Sequence, residues 1–457
     1  MLKKLPYYFL ASLLILAACS KSEDDTSPVD IDTPDTCVKL ENYVETITDD
    51  ALLNKVQQQT LKYFWDFAEP NSGMSRERNT SGNLVTTGGT GFGIMAIIVG
   101  ADRGFVTRDA ATDRILKVFN FLSKADRFHG AWPHWMDGTT GKTIAFGTKD
   151  NGGDLIETAF LVQGIIAAKE YFSAATQKED SLRRMADSLW YKVEWDWYTN
   201  GENVLLWHWS ANYSFEINMH ISGWNEGLIT YVLAASSPTH PISKLVYDNG
   251  WAKNGGLRNG RIFYGTKLPL GQDFGGPLFF SHYSFLGLDP RGLSDQYANY
   301  WEQNVNHSKI NHSYAVANPY SFCHYSDSCW GLTASDDPIR GYQAHAPYRN
   351  GGDDNGTITP TAALSSFPYT PVESMKALRF FYHRLNSKVW GTYGFTDAFN
   401  LSQKWYANSY LAIDQGPIVV MIENYRTGLL WNTFMKNQDI KNGLSKLEFT
   451  VINYQFY

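Results

Sequence analysis

From Thr48 onward, apolar residues recur at helical spacing. Thr48, Asp49 and Asp50 supply caps, and Leu52, Leu53, Val56, Thr60, Phe64 and Phe67 then line one face. The same periodicity predicts helices over residues 89–101, 108–125, 154–172, 180–198, 223–235, 294–317, 360–366, 371–385 and 414–425, with two or three short ones toward the end. Long loops rich in Gly, Asn and aromatic residues separate them, among them 129–153 and 258–277. Loops of that kind carry function more often than packing. Strand and helix patterns do not alternate, which disfavours a doubly wound or (β/α)₈ fold. Helices in this number, arranged as hairpins, can close into an all-α (α/α)₆ barrel, a ring of inner and outer helices with long loops at one rim. An α-solenoid has the same periodicity, but no fixed-period repeat is present.

The N-terminus reads differently. Lys3 and Lys4 precede an apolar run over residues 7–17, too short to span a bilayer as a mature helix but suited to a signal peptide. The run ends in Leu16-Ala-Ala-Cys19, which resembles a lipoprotein lipobox, so Cys19 is expected to be the lipidated first residue of the mature chain. Ser20-Lys-Ser-Glu-Asp-Asp25 resembles the acidic tag that sends lipoproteins of the Bacteroidota to the outer face of the outer membrane; a periplasm-facing anchor is the alternative. The expected organisation is a signal peptide over 1–18, a lipidated cysteine and flexible tether over 19–45, and one catalytic domain over 46–457, acting as a monomer. The tether composition, rich in Asp, Ser, Thr and Pro, cannot bury apolar surface.

Hydrophobic residues make up 43% of the 457 positions and charged ones 19%, which excludes a disordered or fibrous chain. With 46 acidic against 39 basic side chains there is no positive excess for a phosphate backbone, so nucleic acid is not an expected partner. Besides Cys19, the cysteines are Cys37, Cys323 and Cys329. Cys323 and Cys329 stand close enough in sequence to pair, leaving an odd thiol. No Cys/His spacing suits zinc, and neither metal nor cofactor is expected.

Three clusters carry chemistry. In the first, Asp150-Asn-Gly-Gly-Asp-Leu-Ile-Glu157, Asp150 lies in a loop while Asp154 and Glu157 fall on one face of a helix's first turn. Capping explains the pair equally well. The neighbouring Trp132-Pro-His-Trp135 favours a sugar site, because flat aromatics beside carboxylates suit a pyranose ring. In the second cluster, Leu206-Trp-His-Trp209 precedes Trp224-Asn-Glu226. Glu226 stands at an apolar helix start, where desolvation would keep it protonated as a general acid requires. The third is Asp414-Gln-Gly-Pro417; nearby Glu423 and Arg426, three apart, suit a local ion pair. Asp336-Asp337 and Asp353-Asp354 are further loop acids. No nucleophile elbow, phosphate loop or His-Glu-x-x-His is present, and Gly88-Gly-Thr-Gly-Phe-Gly93 follows no predicted strand, which marks close packing at a helix start. Carboxylates with aromatic walls point to glycoside hydrolysis, which needs one protonated and one ionised carboxyl about the scissile bond.

With these segments, together with Thr87-Gly-Gly-Thr-Gly-Phe-Gly93 and Gly331-Leu-Thr-Ala-Ser-Asp336, the chain from about Thr48 to its end resembles the bacterial glycoamylase-like proteins of glycoside hydrolase family 144, whose characterised members are β-1,2-glucanases. The resemblance implies an (α/α)₆ barrel with a single cleft and hydrolysis with inversion. It places the essential acids at Asp150, Asp154, Glu157, Glu226 and Asp414. Glu226 is then the general acid, and Asp154, with Asp150 close behind, the base that holds the attacking water. Glu157 and Asp414 are expected to bind sugar hydroxyls or orient the attacking water, and the loop acid Asp336 to bind hydroxyls or a cation, although an exposed turn explains it equally well. Trp132, Trp135, Trp207, Trp209, Tyr213 and Trp224 are expected to supply stacking surfaces, and His134 and His208 to donate to hydroxyls. The expected substrate is a β-glucan, cut internally. The alternatives are sophorose release from a chain end, a glucoamylase acting on α-glucan, a non-catalytic surface glycan binder and a polysaccharide lyase, the last disfavoured by the acidity of the clusters.

Overall fold

The computed structural model describes residues 37–40, 42–348 and 353–452; the expected signal peptide and lipidated Cys19 lie outside them. Thirteen α-helices occur among the described residues: α1 (Asp49–Trp65), α2 (Thr87–Asp102), α3 (Arg108–Leu122), α4 (Leu155–Tyr171), α5 (Gln177–Trp190), α6 (Leu228–Ser236), α7 (Lys244–Val246), α8 (Tyr300–Ala317), α9 (Pro360–Leu364), α10 (Pro371–Arg379), α11 (Ala412–Arg426), α12 (Leu429–Phe434) and α13 (Gln438–Lys446).

Their sequences sort them into two layers. α2, α4 and α6 are apolar on every side and buried along nearly their whole length. α1, α3, α5, α10 and α13 carry an apolar stripe and an exposed polar face. The buried set forms the inner wall: α2 packs on α4 and on α11, α4 on α6, and α11 on α9. The gap between α6 and α9 is filled by two 3₁₀ turns, Leu278–Ser281 and Tyr283–Phe285, which pack on α6 and reach α9 through His282 Nε2···Ser366 Oγ at 3.0 Å. Six inner elements therefore close a ring, an (α/α)₆ barrel. Among the described residues its strands form small sheets of two or three short strands rather than a closed sheet.

Glycine sets the closest contact in that ring. A Cβ on Gly91 would stand 2.1 Å from the Phe160 carbonyl oxygen, and one on Gly164 2.3 Å from that of Gly91, so α2 and α4 meet backbone to backbone. The glycine-rich segment is thus close packing, as its sequence context indicates.

Four features differ from the sequence expectations. The helix expected over 223–235 begins only at Leu228, because Gly223 adopts φ +78° and turns the chain first; Glu226 sits in that turn. The inner 3₁₀ turns have no helical periodicity to reveal them. Glu423 and Arg426 do not pair: Glu423 is buried against Arg103 (Nε–Oε2 2.6 Å), while Arg426 reaches Asp50 at 2.6 Å, so the two tie α11 to α2 and α1 instead. Finally, Cys323 bonds Cys37 and not Cys329, which is buried in the second apolar cluster. The compact body accordingly begins at Cys37 and takes in residues assigned to the tether, held also by His324 Nε2 to the Val38 carbonyl (2.6 Å) and by Tyr43 stacked on His383. The bridge spans 286 residues of sequence, so Cys323→Ser is expected to cost about 2–4 kcal/mol of stability. Urea unfolding of the oxidised parent and the variant measures it.

Candidate active site

The N-terminal ends of α2, α4 and α11 and the turn before α6 bring the predicted acids to one rim of the barrel. Asp154 is the N-cap of α4: its Oδ1 accepts the Glu157 N–H at 2.9 Å. It also belongs to a two-residue antiparallel pairing, Gly153 with Trp209 and Asp154 with His208, which brings the Trp207–Trp209 segment against it. The second carboxylate oxygen is surrounded. His134 Nδ1 lies 3.0 Å away, Trp207 Nε1 donates at 3.2 Å and His208 Nε2 stands at 3.6 Å. His208 Nε2 is closer to Asp150, at 3.1 Å.

The capping box suggested by Asp154 and Glu157 is half formed. Glu157 does not reach back to its own helix; its Oε2 accepts the Gly88 N–H at 2.7 Å and the Thr86 hydroxyl at 3.3 Å, with His134 Nε2 4.0 Å from Oε1. A Cβ on Gly88 would lie 2.7 Å from that Oε2, so the first glycine of the motif is what lets the carboxylate reach the start of α2.

Burial and neighbouring charge divide these groups. Burial alone would raise Asp154, but the hydrogen bonds and charges of His134 and His208 hold it well below the usual carboxylate range. Burial opposes the charged form of both rings too, yet Glu157, Asp154 and Asp150 around His134, and Asp150 and Asp154 around His208, raise each to about 9. Asp154 is therefore ionised between two imidazolium rings, whereas burial, with the charge of Asp154, raises Glu157. Glu226 is raised too. It retains some solvent access, no other described residue donates to its carboxyl, and burial, reinforced by Asp154 and Glu157, pushes it up to about 7. A carboxyl whose proton is held more tightly and one that has lost it stand close enough to influence each other, the division that assigns acid and base roles.

The histidines make a pH prediction. Their raised values favour the folded state, a contribution complete below the unfolded pKa near 6.5 and lost as pH rises through about 9. The melting temperature is expected to fall between pH 7 and 9.5, and to fall less in a His134→Gln, His208→Gln double variant, by differential scanning calorimetry. His134, Asp150 and Asp154 also bring one donor atom each within 4.8 Å of one another, a group that could hold a metal ion; in the structure these atoms hydrogen-bond or ion-pair within the cluster.

Asp414, in the first turn of α11, is 3% exposed, and Asp336 stands near it, paired to Arg78 at 3.1 Å. Two residues here gave no sequence signal: Asp397, whose Oδ2 accepts the Asp336 N–H at 2.6 Å, and Tyr283, on an inner 3₁₀ turn, whose hydroxyl is pushed up by burial and by the charges of Asp414 and Glu226. Tyr283 thus lies between the two acid groups.

The aromatic expectations need correcting. Trp132 is wholly buried, donates to the Leu122 carbonyl at 3.2 Å and is covered by Arg127, so it has no face for a sugar. Trp224 is core as well, packed with Trp251, Phe285 and Tyr300. Trp207 donates its Nε1 proton to Asp154 and is half-buried. Trp135 and Trp209 are half-buried. Trp135 is extended by Phe146, whose ring also stacks on His134 at 4.1 Å, and Trp209 packs edge-on to His129. Tyr213 is half-buried on the loop after Ser210.

A family model described as Glycoamylase matches residues 218–438. A curated exo β-1,2-glucooligosaccharide sophorohydrolase (non-reducing end) of Parabacteroides distasonis is 48% identical over 423 residues, 88% of this chain; the chain spans 58% of that protein's length. Among solved structures, an endo-β-1,2-glucanase from Chitinophaga pinensis, in complex with sophorotriose and glucose, is 51% identical with a TM-score of 0.87, covering 89% of this chain and 99% of that one. A β-1,2-glucanase from Parabacteroides distasonis is 48% identical with a TM-score of 0.85, covering 88% of this chain and 60% of that one. An endo-β-1,2-glucanase from Talaromyces funiculosus, 12% identical with a TM-score of 0.65 over 88% of this chain and 91% of that one, shares the fold. Identity of this extent over essentially the whole Chitinophaga chain means that this chain belongs to the bacterial glycoamylase-like proteins of glycoside hydrolase family 144.

Proposed function

We propose that the protein hydrolyses β-1,2-glucan, cutting internally and inverting the anomeric centre. The observation that carries this is the pairing of a Glu226 carboxyl pushed up to about 7 with the ionised Asp154, beside which Asp150 stands on the same His208; the named activities of relatives about 50% identical support the linkage. Glu226 gives its proton to the glycosidic oxygen as the C1–O bond breaks, and a water attacks C1 from the opposite face while a carboxylate takes the water's proton. Asp154 is saturated with hydrogen bonds and fully buried. Asp150 is partly exposed and holds only the contact to His208, which favours Asp150 as the base and Asp154 as the group that orients it through His208. Glu157, Asp336 and Asp414 would bind hydroxyls, with Trp135 and Trp209 at the subsites.

The signal peptide and a lipid at Cys19 would place a monomeric enzyme on the outer membrane, facing outward. Cys19→Ala is expected to release it into the soluble fraction; unchanged membrane association would remove the anchor. Product sizes followed over time on linear β-1,2-glucan test the mode of action. A ladder of mixed oligosaccharides from the start is expected, sophorose alone would establish exo action, and turnover of amylose instead would support the glucoamylase reading.

A further inference from the structure

The carboxyls of Asp336, Asp397 and Asp414 gather on the α11 side of the cleft, and only the first is matched. Arg78 Nη1 donates to both oxygens of Asp336, at 3.1 and 3.3 Å, and Ser409 donates to Oδ2. Asp397 accepts the Asp336 N–H through Oδ2 but leaves Oδ1 buried without a donor. Among the described residues no N–H or hydroxyl donates to either oxygen of Asp414, and the carboxyl beside it is Asp397. Both residues are more than nine-tenths buried.

Counting charge decides what this means. Arg78, which also pairs with Glu77 at 3.0 Å, is the cation facing the group; Tyr283 and Tyr342 add only neutral phenols, held neutral by burial and by Asp414. One guanidinium, already paired with the half-buried Glu77 and Asp336, leaves Asp397 and Asp414 without a cation of their own, and two adjacent buried carboxyls settle by keeping a proton between them. Burial and the facing carboxyls raise Asp414 well above the ordinary range and Asp397 to about 7. The α11 dipole favours the Asp414 anion but is too weak an influence to reverse this.

We propose that Asp397 is a positioning residue of the cleft: it shares a proton with Asp414, so that Asp414 meets a sugar hydroxyl as a carboxylic acid that donates as well as accepts. The inference rests on the glucan reading of the cleft. Asp397→Asn would replace the proton-sharing carboxylate with an amide donor, leaving Asp414 ionised and able only to accept. With the full chain and linear β-1,2-glucan at pH 7, KM is expected to rise about tenfold, the effect of one lost hydrogen bond, with kcat within about threefold. The rise should shrink as pH is lowered and Asp414 takes up its proton again, which a purely structural defect would not do. A KM equal to the parent's at every pH would overturn the proposal. Infrared spectra separate this from the activity itself: in a Glu226→Gln background, which removes the acid band of Glu226, the protein at pH 7 should show a carboxylic-acid carbonyl band that is lost on adding Asp397→Asn or Asp414→Asn. Should Asp397→Asn not fold, the Asp414→Asn comparison alone decides, and an unchanged band overturns the proposal even if no glucan is cut.

Discussion

Exchanging Glu226 for Gln is expected to lower kcat on β-1,2-glucan by roughly 10²- to 10⁴-fold, the range that a positioned general acid contributes. Gln keeps the shape of the side chain and its place in the turn before α6, so the melting temperature should hold while the transferable proton is gone. The effect is specific to the leaving group: an aryl β-sophoroside, whose phenolate departs without protonation, should lose far less. The pH profile gives a second reading. The active form carries the proton, so kcat/KM of the parent should fall as pH rises through about 7, and that limb should be absent from the residual activity of the variant.

Asp150→Asn is expected to cost a comparable 10²- to 10⁴-fold in kcat by removing the group that takes the water's proton. Azide, a nucleophile that needs no base, should restore turnover in this variant and form a glycosyl azide of inverted configuration. In Asp154→Asn the cap of α4 survives, because Asn also accepts the Glu157 N–H, but His134 and His208 lose the charge that orients them. Activity there should fall without azide rescue. Rescue of Asp154→Asn in place of Asp150→Asn would exchange the two roles.

The periodicity of the chain made the barrel legible because the inner helices are long and apolar on every side; α2, α4 and α11 all begin within about three residues of their expected starts. The 3₁₀ turns over Leu278–Ser281 and Tyr283–Phe285 were hidden, since a segment of three or four residues has no period to detect, and Tyr283 was hidden with them. Asp150, Asp154 and Glu226 could be selected from their local context. Asp397 could not, because its meaning comes from Asp414 and Asp336, each distant or unremarkable in sequence until the fold brings them together. Trp132 and Trp224 illustrate the reverse error: an indole next to acids in sequence suggests a face for a sugar, whereas Trp132 packs under Arg127 and Trp224 against Trp251, Phe285 and Tyr300, both in the core. The cysteines follow the same rule, as nearness along the chain pointed to Cys329 while the fold delivers Cys37 to Cys323.

The most direct test of the account follows the anomeric form of the sugar at the newly formed reducing end by proton NMR during the first minutes of β-1,2-glucan hydrolysis, with Glu226→Gln alongside. Inverting hydrolysis by Glu226 and a carboxylate-held water predicts the α-anomer first, its slow mutarotation afterward, and a signal reduced by at least about 10²-fold in the variant. The β-anomer as first product, or equal turnover by parent and variant, would contradict it.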